Sequence, residues 1–298
     1  MKYIMFLILS LFVNTLFAQK NDKKLEDKLN NEIQHFKGEI GIYIQHIRSN
    51  RYVAIHADTI FPTASIVKIP ILVGVFQKIA DGQLQVNQAF RYDKNRVYGG
   101  SGLMQFYKDS AQTDLSTMIS LMLSYSDNVA SLWLQELAGG GTVINPLLEK
   151  LGLQHTKINS RTPGREDIWK KYGWGQTTPR EMATLFLSIR NGQVIDKRHS
   201  DKMYRYLKNQ FYNGRSLSQI PSHINTISKT GSVNDARGEV VLVNAPSGDY
   251  VFCILTKNNE DQSWNDKNEA EVLTRKISNI IWNHFEPKHP FVPFEPIK

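Results

Sequence analysis

Residues 61–80 read FPTASIVKIPILVGVFQKIA, and both fold and chemistry can be worked outward from this stretch. From Ser65 to Ala80 the run is apolar enough for a buried helix, and it sets Lys68 three residues after Ser65. Residues three apart share a helix face, so the amine can reach the hydroxyl. A serine hydroxyl is a weak nucleophile until a neighbouring base takes its proton. Lysine serves as that base only when uncharged, a state that burial and a second nearby cation both favour. No other serine in the chain is followed by lysine at this spacing.

Upstream, Leu25, Leu29, Ile33 and Phe36 form one apolar stripe, as on an amphipathic helix. Residues 39–47 and 51–57 are β-rich and joined at Ser49-Asn50, which reads as a hairpin. Downstream the pattern is helical to about Gln210, with helices expected over 65–80, 115–125, 127–137, 145–151 and 179–190. Gly139-Gly140-Gly141 reads as a helix cap, since it lacks the spacing of a phosphate loop. Strands resume over 223–228, 238–244 and 249–256, and a last helix carries Leu273, Ile277, Ile280 and Ile281 on one face. Strands at both ends with helices between them imply an α/β (α+β) protein. Its expected form is an antiparallel five-stranded sheet flanked by terminal helices, plus an all-helical lobe. The expected boundaries are 19–62 and 215–298 for the sheet lobe and 63–214 for the helical lobe.

Composition narrows the function. The chain has 298 residues, 41% of them hydrophobic, which suits one large or two conjoined cores. Its net charge of +8 comes from basic residues interleaved with acids, as in 23–28, a solvated surface rather than a nucleic-acid patch. Residues 1–18 place Lys2 before an apolar run ending in Leu16-Phe17-Ala18, the pattern of a secretory leader cleaved before Gln19. No cysteine follows that run to carry a lipid, and no later segment suits a membrane helix, so an exported protein without a stable membrane anchor is expected. Cys253, the single cysteine, lies in an apolar strand and reads as a buried thiol. The eight histidines form no zinc-binding cluster, and no Gly-x-Ser-x-Gly elbow occurs.

Two further motifs complete the chemistry. Ser126-Asp127-Asn128 lies between helical stretches, where Ser and Asp also serve as caps. Here Ser126 can relay a proton to a leaving group, and Asn128 can bond Lys68 or a substrate amide. Lys229-Thr230-Gly231-Ser232 falls on a strand near the sheet edge. Gly231 lets a substrate backbone approach, while Lys229 and Thr230 can hold a carboxylate. The charge of Lys229 would lower the pKa of Lys68, and the backbone N–H groups of Ser65 and Ser232 can form an oxyanion hole.

The three motifs in this order resemble the class A serine β-lactamases and the related penicillin-binding D,D-peptidases. The intervals from Ser65 to Ser126 and from Ser126 to Lys229 are those expected of class A, and residues 61–65 and 177–183 resemble the family's approach to the nucleophile and its exit from the Ω-loop. The resemblance implies an acyl-enzyme on Ser65, no cofactor or metal, a monomer, and a small β-lactam as substrate. Cell-wall peptidoglycan fragments are the alternative ligand, for a D,D-peptidase or a slow sensor. It also implies that Arg237 helps bind the substrate carboxylate and that Tyr98 either walls the cleft or packs in its loop. Trp169 and Trp174 are expected to pack the loop. The family's Ω-loop glutamate, two residues after an arginine, is missing: Pro163 stands there after Arg161. Glu166 and Asp167 are the carboxylates left to activate water, unless both are surface charges.

Overall fold

The computed structural model describes residues 19–293, so the expected leader over residues 1–18 lies outside the described residues. Five long strands form an antiparallel sheet: β2 (Glu39–His46), β3 (Arg51–Ile55), β9 (Thr226–Val233), β10 (Ala236–Val243) and β11 (Tyr250–Lys257). A two-residue β1 (Lys20–Asn21) adds in parallel to β3, giving the order β1-β3-β2-β11-β10-β9. β9, which carries Lys229–Ser232, is therefore an edge strand.

Both faces of the sheet are covered, which explains why β10 and β11 run apolar with little alternation. On one face Val241, Val243, Phe252 and Ile254 pack with Leu25 and Leu29 of α1 (Lys23–Ile33) and Ile277 and Ile281 of α9 (Glu269–Phe285). On the other, Val240, Leu242, Val251 and Cys253 join a core centred on α2 (Lys68–Ala80). Lys68 through Phe76 are all buried, so α2 is the axle of the helical part. Against it pack α3 (Leu115–Ser124), α4 (Asn128–Leu137), α5 (Gly140–Lys150) and α8 (Lys197–Tyr206), while α7 (Pro179–Arg190) lies on the sheet and α6 (Glu166–Tyr172) beside the short strand that ends at Thr177.

Short strands fix the approach to Ser65. β4 (Phe61–Pro62) pairs with β8 (Gly175–Thr177), which pairs with β7 (Lys157–Ile158). Thr63 N then donates to Gly175 O at 2.9 Å, so the segment ending at Gly175 returns to the residues just before the nucleophile. β5 (Ala89–Arg91) and β6 (Gln112–Asp114) form a separate ribbon.

The structure departs from the sequence reading at several points. The helix expected from Ser65 begins as a 3-10 turn over Ala64–Val67 and becomes α-helical at Lys68. Three residues per turn eclipse positions i and i+3, which aligns Ser65 and Lys68 more closely than an α-helix would. The Gly run does more than end a helix: Gly139, at φ +90°, closes α4, and Gly140 opens α5. α6 and α8 were not anticipated, because α6 buries no residue and α8 only Ser200 and Met203.

β9 presses directly on the 3-10 turn. A Cβ added at Gly231 would lie 2.4 Å from Thr63 O and 3.1 Å from Ser65 N, both backbone atoms that cannot swing aside. Gly231→Ala is therefore expected to overpack this seam at a cost of ~1–3 kcal/mol and to lower Tm by roughly 3–10 °C. A thermal melt matching the wild type would contradict the seam.

Candidate active site

Ser65 is half-buried on the 3-10 turn, and its predecessor Ala64 has φ +44°. Lys68 is completely buried one turn on. Its Nζ stands 3.0 Å from Ser65 Oγ, 2.6 Å from Ser126 O, 3.0 Å from Ser126 Oγ and 3.0 Å from Asn128 Oδ1. Asn128 Nδ2 donates to Gly99 O, which turns Oδ1 toward the amine. Ser126 O and Asn128 Oδ1 can only accept. A neutral amine has two N–H bonds for them and a lone pair left for a hydroxyl. The arrangement is that of a base facing the Ser65 proton.

Electrostatics act the same way. Burial holds the Lys68 amine well below its ordinary range, and the Lys229 charge pushes it further down against the pull of Asp127. Lys229, also without exposed surface, donates to Ser126 Oγ at 3.1 Å and to Thr230 O at 3.0 Å. Burial lowers it to about 7, with Arg215 adding to the effect and Glu239 opposing it. Ser126 Oγ thus lies between two amines, on a residue held at φ +54°. Asp127 secures that turn. Its Oδ1 accepts from Ala130 N at 2.8 Å as the N-cap of α4, and its Oδ2 accepts from Leu103 N and Met104 N at 2.6 and 2.8 Å.

Ser65 opens onto two cavities. One, of about 570 Å³, is walled by Tyr98, Tyr172 and Trp174, with Asn128 and Ser232 also on its lining. The Tyr98 and Trp174 rings meet edge-on at 5.4 Å, and Lys68 Nζ lies 6.0 Å from the Trp174 ring. The other, of about 670 Å³, is lined by Ser126, Thr230, Gly231, Ser232, Arg215 and Tyr212 among others. A larger cleft of about 1420 Å³ touches none of Ser65, Lys68, Ser126 or Lys229. Ser65 lines both of the smaller two, and Ser126 one of them.

Comparison with known proteins gives this geometry its place. The family model described as "Beta-lactamase enzyme family" matches residues 24–285. The chain belongs to the beta-lactamase enzyme family. β-Lactamase VEB-1 of Pseudomonas aeruginosa is 22% identical over 297 residues, covering 95% of this chain and 98% of its own. β-Lactamase SME-1 of Serratia marcescens is 24% identical, with coverages of 88% and 89%. Among solved structures, one titled "Structure of PBP-A" superposes with TM-score 0.80 at 24% identity, over 91% of this chain and 98% of that one. A class A β-lactamase from Mycobacterium abscessus gives TM-score 0.77 at 21% identity, over 88% and 99%.

Within this family frame, the structure brings together Ser65, Lys68, Ser126, Asn128, Lys229, Thr230, Gly231 and Ser232, while Arg237, Glu166 and Asp167, also named from sequence, stand apart. Arg237 is 3% exposed. Its guanidinium donates to the carbonyls of Val233, Asn234, Ala236 and Ser263, lies under the Trp264 ring at 4.7 Å and lines neither cavity. Arg215 occupies the cleft instead, donating to Ser232 Oγ at 2.5 Å and Glu271 Oε1 at 2.7 Å. Glu166 is exposed at the start of α6, where its Oε1 accepts from Gly164 N, and Asp167 pairs with Lys170 in solvent. Neither lines a Ser65 cavity; the acids that do are Asp235 on one side and Asp266 and Glu271 on the other. Trp174, expected to pack the loop, walls the cleft.

Asp127 is the structural member of its motif. Asp127→Ala removes an N-cap and two charge-assisted bonds, so stability should fall by roughly 2–4 kcal/mol. Denaturant unfolding checks this; a loss below ~1 kcal/mol would mean the turn holds without it.

Proposed function

We propose that this protein is a serine β-lactamase that forms its acyl-enzyme on Ser65. The observation that carries the reading is the buried, charge-depressed Lys68 amine within 3.0 Å of both Ser65 Oγ and Ser126 Oγ. Ser65 Oγ attacks the lactam carbonyl as Lys68 takes its proton. The backbone N–H groups of Ser65 and Ser232, which the Gly231 seam draws together, stabilise the oxyanion. As the C–N bond breaks, Ser126 passes its own proton to the ring nitrogen and regains one from Lys68. Thr230, Ser232 and Arg215, which line the larger of the two cavities, receive the substrate carboxylate, with the charge of the buried Lys229 behind them. Every group named comes from one chain, so a monomer suffices. Residues 1–18 support export, which would place the enzyme where β-lactams and peptidoglycan are met.

A second reading, a penicillin-binding enzyme with slow turnover, is favoured by one observation: Glu166 and Asp167 lie outside both cavities. Loss of a positioned base for water costs ~10²–10⁴ in rate. Intact-mass analysis with benzylpenicillin, followed by turnover counting, tests both readings. One adduct on Ser65 is expected, with Lys68→Ala acylating at least ~10² times more slowly. Sustained turnover supports the lactamase; a single equivalent that persists supports the trap. An unmodified Ser65, or a Lys68→Ala variant that reacts as fast as wild type, rules out the mechanism.

The pH dependence follows from Lys229. Its charged form attracts the carboxylate from behind Thr230 and Ser126, so kcat/KM should decline as pH rises through about 7, the free-enzyme value. Lys229→Arg keeps its charge across this range and should abolish that limb, at some cost in fit. A limb that survives in Lys229→Arg belongs to another group.

A further inference from the structure

Glu239 is a carboxylate that the chemistry above does not use. It stands on β10, opposite Thr230, in a strand whose next four residues are Val240, Val241, Leu242 and Val243. Its side chain has no exposed surface. One oxygen accepts from Ser216 N at 2.9 Å; the other has no partner among the described residues. A buried acid with an unsatisfied oxygen is costly where an apolar residue would pack, so its local contacts should account for its presence.

Those contacts converge on the residue next to Ser216. Ser216 O accepts from Ser278 Oγ of α9 at 2.9 Å, so the Ser216 backbone is gripped by the sheet through its N–H and by α9 through its carbonyl. Arg215 leaves the chain one residue earlier. Its guanidinium folds back over the β9–β10 seam to Gly231 O and Gly238 O, both at 3.3 Å, and to Ser232 Oγ. The charged or titratable groups whose fields reach Glu239 are Arg215 from the loop, Lys229 from β9 and Cys253 from β11, while Glu271 of α9 holds Arg215 from the far side. Burial raises the Glu239 carboxyl, and Arg215, the Ser216 bonds and Lys229 oppose that rise.

We propose that Glu239 is a positioning residue for recognition of the substrate carboxylate: by holding the Ser216 amide it sets the backbone from which Arg215 enters the cleft. Glu239 touches no substrate and acts through Arg215; its charge also favours that of Lys229, an effect that the added Arg215→Ala substitution separates. The inference rests on the acyl-enzyme reading above, in which that cleft receives an acid.

The test compares a penicillin with its methyl ester, which lacks the charge Arg215 would meet. Glu239→Leu removes both acceptor and charge at similar volume; Glu239→Gln keeps an acceptor for Ser216 N. In Glu239→Leu, KM for the free acid should rise about tenfold with acylation kcat within about twofold, while the ester loses less than about twofold. Glu239→Gln should fall between Leu and wild type, and adding Arg215→Ala to Glu239→Leu should cause little further loss of acid preference. A parallel loss on acid and ester, tracking a lowered Tm, would mean a purely structural acid and overturn the proposal. So would an unchanged acid-to-ester ratio in Glu239→Leu, while labelling of Ser65 in that experiment keeps the acyl-enzyme reading intact. If Glu239→Leu fails to fold, the ratio in Glu239→Gln decides: wild-type preference there, together with undiminished preference in a Ser278→Ala variant that loosens the same grip, overturns it. Wild-type Ser65 that neither compound labels removes both readings together.

Discussion

Lys68 and Lys229 reach the same Ser126 hydroxyl from opposite sides, both without exposed surface. Like charges so close in a dry site repel far more strongly than in water, and neither has solvent to spread its charge. One amine must give up its proton, and the structure sets which. Burial depresses both, but Lys68 also faces the Lys229 charge, against the pull of Asp127, and falls well below its ordinary range, whereas Lys229, which Arg215 lowers and Glu239 raises, is held at about 7. The neutral base that a serine nucleophile requires is thus a consequence of burial and pairing.

Much of the remaining architecture keeps that arrangement from relaxing. α2 is buried on all sides around Lys68, which prevents water from rehydrating the amine. Gly231 allows β9 to touch the turn bearing Ser65. Ala64 and Ser126, each next to or part of the reacting set, sit in left-handed backbone conformations that are uncommon for residues with a side chain. Such conformations persist where surrounding contacts over-determine them. At Ser126 the contacts are visible: Asp127 binds three backbone amides on two segments.

The parts legible in the sequence were those written in local spacing. A serine and lysine three apart need only one helical turn to meet, and the apolar runs over 240–243 and 250–255 announce buried strands of a covered sheet. The antiparallel five-strand arrangement followed, with only the two-residue β1 unforeseen. Arg215 was not legible: it stands in an irregular segment, and its role exists only because the chain folds it back over β9. Arg237 was no more legible. The strand expected over 238–244 stops one residue short of it, and neither the carbonyls of the β9–β10 turn nor the Trp264 ring that hold its guanidinium were readable. α6 buries none of its residues and so carries no apolar stripe, while in α8 the buried line through Ser200 and Met203 holds too few apolar residues among its charges to be recognised from sequence.

Attack and release do not draw on the same parts of this cleft. The groups assigned to breaking the lactam lie on the 3-10 turn before α2, at the start of α2, at the α3–α4 junction and on β9, cross-bonded through Lys68 and Lys229. The opposite wall is built from Trp174 and Tyr98, packed edge to face, with Trp174 held by amides of Asn159 and Ser160 donating to its carbonyl. An indole there keeps Lys68 dry, which favours acylation. The same ring cannot polarise a water molecule, and the nearest Ω-segment acids, Glu166 and Asp167, point to solvent. On the acyl-enzyme reading proposed above, the groups that serve attack are therefore in place, while on the Trp174 side the acid that lines the cavity is Asp235 and not Glu166 or Asp167.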